Sequence, residues 1–339
     1  MGFSMRTQTG LRVCIYCKTE RDRSAFKGRE HVLHRAFGSF KDSPTLDCVC
    51  DECNGYFGKT IDLNYARDSL EALLRLFHGT KPAHKIDELR WSHVSVTLGG
   101  DDPDWSGCHV EWAEEDGEVV VSLVPQVGFR QRGETKWTFL TEDALQDVTQ
   151  PLPPGADSGE IRPISKSEEM DERLIAILSQ RGIKFQKVGT AGGPPPSVEG
   201  LAPLDLQARF DDTIFRCVAK IAFNYLAWRQ GANFVRSDGF NVLRTFVRYG
   251  TRASYPLVTV RTEPILADDT PSTRQTVGHL VTASWTRDSR HIVGLVSLFN
   301  SVTYAVSLAK DFAGVWRPLQ TGHHFNYRTR FIDMLVTGP

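Results

Sequence analysis

Cys14-Ile-Tyr-Cys17 and Cys50-Asp-Glu-Cys53 are two C-x2-C pairs with 32 residues between them. Each pair can form a knuckle that aims two thiolates at one point. Two knuckles complete a tetrahedral set of four sulfurs, the preferred structural site for Zn²⁺. Four thiolates leave no ligand position open to water. The spacing therefore predicts a structural zinc held by Cys14, Cys17, Cys50 and Cys53; a redox dithiol or plain buried cysteines are the alternatives. Cys48 breaks the knuckle spacing and reads as a spectator. Cys108 and Cys217 stand alone and read as small buried apolar residues. The first 60 residues are polar and poor in long apolar runs, so a metal staple would have to stand in for a core.

At 339 residues and 40% hydrophobic content, the chain is long enough for two or three domains. Its 24% charged and 10% aromatic residues exclude global disorder, a coiled-coil rod and a disulfide-stapled miniprotein. No stretch approaches the roughly 20 apolar residues of a membrane span. Residues Met1 to Arg12 show no apolar signal core, so a soluble, cytoplasmic protein without membrane partners is expected. The net charge of −1 conceals three blocks. Residues 1–90 hold 15 Lys/Arg against 12 Asp/Glu, residues 91–200 hold 9 against 19, and residues 201–339 hold 16 against 10. Two basic ends around an acidic middle suit a nucleic-acid partner, and equally an unevenly charged surface.

The fold class read from the pattern is α+β. Residues 1–90 form the zinc-knuckle module with a following helix, since Ile61, Leu63, Ala66, Leu70, Leu73, Leu74 and Phe77 recur at helical spacing. Residues 91–150 read as a small, acidic antiparallel sheet. Residues 151–200, flanked by Pro151–Pro154 and by GTAGGPPP, read as a linker carrying a short helix over 167–181. Residues 201–339 read as a basic α+β domain with a strong helix over 204–230, a shorter one over 241–249, and strands after Pro256. Arg216 with Lys220, and Arg244 with Arg248, fall at i,i+4. Each pair is either a solvated helix face or an anchor for a phosphate backbone. His323-His324 has no acidic or cysteine partner nearby in sequence and reads as structurally bland.

Between the two cysteine pairs lies Glu30-His31-Val-Leu-His34-Arg35-Ala-Phe-Gly38, and Asn54 follows the second pair directly. The order C-x2-C, acid-His, C-x2-C-Asn resembles the zinc-stapled HNH, or ββα-metal, endonucleases. It is similar to stand-alone bacterial HNH proteins with a longer C-terminal body. The specific motif spans residues 14–62. The resemblance implies metal-dependent hydrolysis of phosphodiester bonds, nicking or cutting DNA rather than RNA, in a setting of bacterial defence or restriction. It implies His31 as general base, and Glu30 and Asn54 as ligands of one catalytic Mg²⁺ or Mn²⁺. An imidazole with an ordinary pKa of about 6.5 can take a proton from water at neutral pH, and a hard divalent ion suits oxygen ligands.

Two positions depart from the family pattern. Thr45 stands where an Asn commonly orients the base, and it or its backbone would inherit that task. His34 stands where Pro is common, as a phosphate contact, an added metal ligand or a proton donor. Arg35 is a candidate substrate-phosphate anchor. The larger body leaves room for a regulatory protein partner. The alternative reading is a non-catalytic zinc module that binds nucleic acid or protein.

Overall fold

The structure is a computed structural model that describes residues 10–90, 92–116, 118–153, 156, 159–184, 186–187, 203–261, 265, 278–286, 290–315 and 321–336. The chain divides into two compact units: Met1–Pro82 together with Phe210–Pro339, and Ala83–Arg209 between them. This differs from the four-part organisation expected from sequence. The N-terminal module and the C-terminal body form one unit because they share one hydrophobic core. That core runs from Ile15, Tyr16, Phe37 and Phe57 to Phe223, Leu226, Val296 and Tyr304.

The module begins with a hairpin of β1 (Leu11–Val13) and β2 (Glu20–Asp22), then a two-residue pair of β3 (Glu30–His31) and β4 (Thr45–Leu46). Helix α1 (Asp51–Phe57) follows, with Asp51 and Glu52 in its first turn, where carboxylates suit the helix dipole. A π-turn over Gly58–Asp62 leads into α2 (Leu63–Arg67). The wider turn displaces the carbonyl ladder, and side chains take up the slack. Thr60 Oγ1 donates to Tyr56 O at 2.7 Å and Asn64 Nδ2 to Thr60 O at 2.7 Å. Ser69 then caps α3 (Leu70–Phe77) by accepting from Ala72 N at 3.0 Å.

The middle unit holds β5 (Val94–Leu98), β6 (His109–Glu115), β7 (Glu118–Leu123), β8 (Gln126–Arg130), β9 (Thr138–Thr141), α4 (Glu142–Gln146), β10 (Glu160–Ile164), α5 (Glu168–Gln180), β11 (Gln186–Lys187) and β12 (Leu204–Ala208). They form two four-stranded sheets, ordered β12-β5-β6-β7 and β11-β10-β8-β9. The expected linker is thus largely structured: β10 pairs antiparallel with β8 from Glu160↔Arg130 to Ile164↔Gln126. The helix expected there is α5, with Ser167 as its cap. The second linker, 189–196, lies outside the described residues.

The second half of the larger unit opens with α6 (Asp212–Gln230), then α7 (Ala232–Val235) and α8 (Asn241–Tyr249). The helix expected over 204–230 starts only at Asp212. Leu204-Asp-Leu-Gln-Ala alternates with period two and pairs with β5, and Asp211 caps α6 by accepting from Ile214 N at 3.0 Å. Strands β13 (Val258–Arg261), β14 (His279–Thr286), β15 (His291–Leu298), β16 (Val302–Ala309), β17 (Thr321–Phe325) and β18 (Ile332–Val336) make a six-stranded antiparallel sheet ordered β13-β16-β15-β14-β17-β18. Every residue of α6 from Cys217 to Ala227 is buried. The helix runs through the middle of the unit, with the sheet on one side and the module on the other. No described helix is long and apolar enough to cross a membrane.

Gly294 of β15 lets α6 approach this closely. A Cβ there would lie 3.0 Å from Ala222 Cβ and 3.2 Å from Leu308 Cδ1. Gly294→Val should therefore lower unfolding stability by about 1–3 kcal/mol. Adding Ala222→Gly should recover part of the loss in the same urea titration.

Candidate active site

The four expected zinc ligands come together. The sulfurs of Cys14, Cys17, Cys50 and Cys53 all lie within 4.8 Å of one another, and three of the four residues are buried. The knuckle geometry is local. Lys18 takes φ 56° to close the first turn, with Lys18 N donating to Cys14 O at 3.1 Å. Backbone amides of Tyr16 and Cys50 donate to Cys14 Sγ at 3.4 Å each. Crowding sets the thiols against one another. Hydrogen bonding from its neighbours holds Cys17 far below the ordinary thiol range, while Cys14 is pushed up to about 12, first by Cys17. Four thiolates can share this space only around a cation, and the all-sulfur donor set fits Zn²⁺. Cys48 lies outside the set, and burial pushes its thiol up to about 11.

A tetrathiolate zinc carries net charge −2, and the C-terminal body supplies cations around it. Arg244 donates to Ile15 O at 2.7 Å and Val235 O at 2.6 Å. Arg216 donates to Tyr56 Oη at 2.8 Å and Val247 O at 3.0 Å, and Arg248 sits over the Tyr56 ring at 4.0 Å. This corrects the reading of these residues as a solvated face or a phosphate anchor. Arg244 is 2% exposed, and its donors are taken by carbonyls of the folded chain.

Glu30 and His31 are successive strand residues, so their side chains leave β3 on opposite faces. Glu30 turns inward and is 3% exposed. Its Oε1 accepts from Lys220 Nζ and, at 3.0 Å, from Asn224 Nδ2. Lys220 Nζ also pairs with Asp62 Oδ2 at 2.9 Å. Asn224 Nδ2 reaches His31 O at 3.0 Å, and its Oδ1 accepts from Tyr16 Oη at 2.6 Å. Cys217 Sγ lies 3.5 Å from Asp62 Oδ1. Burial works against charge on Lys220, but Asp62 and Glu30 outweigh it and keep the ammonium protonated. On Glu30 burial prevails over Lys220 and raises the carboxyl. On Asp62 burial is more than offset by Lys220 and His34, and the carboxyl lies low.

Glu30 therefore does not fit the ligand role expected of it. A hydrated Mg²⁺ or Mn²⁺ needs a carboxylate with an open face, and here an ammonium already occupies it. Among the described residues the four cysteines are the only group of three or more His, Cys, Asp or Glu placed to share a metal. Asn54, the other expected ligand, is half-buried on α1. Its amide lies over Gly28, where a Cβ would come within 2.8 Å of Nδ2.

His31 faces the half-exposed side. Its Nδ1 is buried without a hydrogen-bond partner among the described residues. Burial, then Arg35, then Lys220 hold its pKa below the ordinary imidazole value, so the ring is neutral at pH 7. Thr45 lies opposite it in register, and Val32 N donates to Pro44 O at 3.0 Å beside the pair. His34 caps the 3-10 turn Arg35–Phe37, its Nδ1 accepting from Ala36 N at 3.2 Å, and burial pushes its pKa down to about 4. Arg35, on that turn, is exposed. His323 is buried, with its Nδ1 2.8 Å from Tyr225 Oη. Sequence reading missed Lys220, Asn224, Tyr16 and Asp62 as parts of this arrangement. Cys217, Lys220 and Asn224 at i, i+3 and i+7 on an otherwise apolar helix were the available signal.

Two outcomes follow. The purified chain should carry one zinc by elemental analysis, and Cys53→Ser should lose it together with thermal stability. Lys220→Met should cost about 3–5 kcal/mol in urea unfolding, because it leaves two carboxylates buried without their cation. Combining it with Glu30→Gln and Asp62→Asn should recover most of that loss.

Residues 14–70 match the family model described as HNH endonuclease. No curated protein and no solved structure matches the chain. The matched span takes in both cysteine pairs, Glu30-His31, Asn54 and Asp62. The segment from Cys14 to Leu70 is thus similar to HNH endonucleases, and its four cysteines are gathered where they could hold a metal ion.

Proposed function

We propose that the chain is an endonuclease that hydrolyses phosphodiester bonds of DNA, with His31 as general base, in the context of bacterial defence or restriction. The observation that carries this reading is the His31 ring itself. It is neutral at physiological pH, has an unpartnered Nδ1, stands next to an exposed arginine, and sits in a module of the HNH family. The half-exposed His31 ring accepts a proton from water. The resulting hydroxide attacks phosphorus in line, the P–O bond to the leaving oxygen breaks, and the leaving alkoxide takes a proton from solvent. Arg35 offsets the charge that builds on the phosphoryl oxygens. His34 acts as a positioning residue by capping the turn that presents Arg35. Thr45 holds the strand opposite His31. No step is routed through a divalent ion, because Glu30 and Asn54 as placed offer no open pair of ligands. Zinc is structural in this reading and fixes the start of α1.

A second reading, a zinc-stapled adaptor that binds without cutting, draws on the same Lys220–Glu30 pair. If that pair replaces the metal site altogether, the module keeps its shape and loses its chemistry.

The two readings part in one assay. Supercoiled plasmid incubated with the zinc-loaded protein should yield open-circle or linear product, and His31→Ala should abolish it while retaining zinc. Parallel reactions with Mg²⁺, Mn²⁺ and EDTA measure the ion requirement. DNA binding without product in any of them would favour the adaptor. The base must be neutral, so the rate should be full above the His31 pKa and fall as pH drops through it, below about 6.5. Arg35→Ala removes one of the causes of that depression. Its acidic limb should move up in pH, beside a lower maximal rate.

A further inference from the structure

A cleft of about 290 Å³ opens beside the 3-10 turn that carries Arg35. Three stretches of chain distant in sequence meet there: Arg35 to Ser39, His78 to Thr80, and Tyr327 to Arg330. Three of its lining residues are arginines, and no carboxylate lines it. Arg35, Arg328 and Arg330 are all exposed, and none makes an ion pair among the described residues. This contrasts with Arg216 and Arg244, whose donors are engaged inside the fold.

The arginines from the C-terminal turn are held in place. Asn326 Oδ1 accepts from Arg328 N and Thr329 N at 3.0 Å each, and Arg330 N donates to Asn326 O at 2.8 Å. Lys41 N donates to Arg330 O at 2.8 Å, which ties this turn to the N-terminal module. Arg330 takes φ 63°, a left-handed conformation unfavourable for a residue that bears a side chain. The turn keeps an arginine where glycine would be easier, as strained residues at binding sites often do. Two rings line the cleft, His78 and Tyr327, 5.5 Å apart and tilted by 53°, and Phe299 stacks behind His78 at 4.9 Å and 5°. Gly79 at φ 67° has nothing within 4 Å of a would-be Cβ, which leaves the floor open. The cleft is also coupled to the candidate base, since Arg35 belongs to both and its charge acts on His31.

We infer that this cleft seats the phosphodiester backbone of the DNA strand, with Arg328 and Arg330 of the C-terminal turn binding phosphates alongside Arg35 of the module. The inference rests on the nuclease reading and adds to it the part that the C-terminal body plays. Exposed guanidinium groups without an ion pair among the described residues match phosphate oxygens bidentately. They contact backbone rather than base edges, so the cleft holds DNA without reading its sequence.

The test uses full-length protein carrying His31→Ala, so that binding is measured without cutting. A fluorescein-labelled duplex oligonucleotide is titrated by anisotropy over a range of salt. Arg328→Ala with Arg330→Ala should raise Kd about tenfold or more and should lower the salt slope of log Kd by about 2, one contact per arginine. The shift should be equal on duplexes of unrelated sequence. The charge-keeping pair Arg328→Lys and Arg330→Lys should restore the salt slope and regain part of the affinity, which separates charge loss from misfolding. Arg252→Ala, a residue paired with Asp212 outside the cleft, should leave Kd unchanged. If the parent protein binds and the double alanine variant matches it in Kd and slope, the cleft assignment falls and the nuclease reading stands. If the unsubstituted protein neither binds nor cuts DNA, both fall. Binding of single-stranded RNA in place of duplex DNA would overturn the substrate class assigned here.

Discussion

The ammonium of Lys220, buried between Glu30 and Asp62, is the interaction on which the larger unit depends. Removing an ammonium and two carboxylates from water is costly, and only close mutual pairing offsets it. The groups come from three parts of the chain: β3, the π-turn, and α6 more than 150 residues later. Asn224 extends the arrangement to the His31 carbonyl and, through Tyr16, to the first zinc knuckle. One helix therefore fixes the strand that presents His31, the turn after the second knuckle, and the knuckle itself. The apolar packing of α6 against the sheet supplies the area, while its polar stripe supplies the specificity of how the module sits on it.

Two kinds of basic residue emerge from this arrangement. Arg216, Arg244 and Arg248 serve the fold: Arg244 binds the Ile15 carbonyl of the first knuckle, Arg216 binds Val247 O and the Tyr56 hydroxyl, and Arg248 lies over the Tyr56 ring. Arg35, Arg328 and Arg330 are exposed and make no ion pair among the described residues. Sequence charge blocks cannot distinguish them, because both kinds raise the local count equally.

What could be read in the sequence was whatever is local. The cysteine knuckles are set by three-residue spacings, and their four sulfurs gather as expected. The α+β class, the antiparallel sheets, α5, α8 and most C-terminal strands follow from period and turn chemistry over short windows. Asp211 capping α6 was missed because Leu204 to Ala208 is apolar enough to look like a helical extension; its pairing partner β5 is over 100 residues away. The pairing of Glu30 was hidden for a related reason. An acid-His pair looks like a metal ligand beside a base until a lysine 190 residues away is placed against it. Lys220 itself looked like a surface charge, since its i,i+4 partner Arg216 suggested an exposed stripe. Long-range pairing leaves no periodic trace in either partner's neighbourhood.

The larger unit is discontinuous, with Ala83–Arg209 inserted between its two parts. This imposes an order on biosynthesis. A ribosome adding roughly 5–20 residues per second releases Glu30 long before Lys220. The 190 residues between them correspond to about 10–40 s of translation. During that interval the nascent module has a carboxylate without its cation and a half-built core. A polypeptide interrupted anywhere before α6 would release the cysteine knuckles and His31 without the scaffold that orders them. The strand that bears His31 thus gains its ordering contact, Asn224 on the His31 carbonyl, only once α6 has been made.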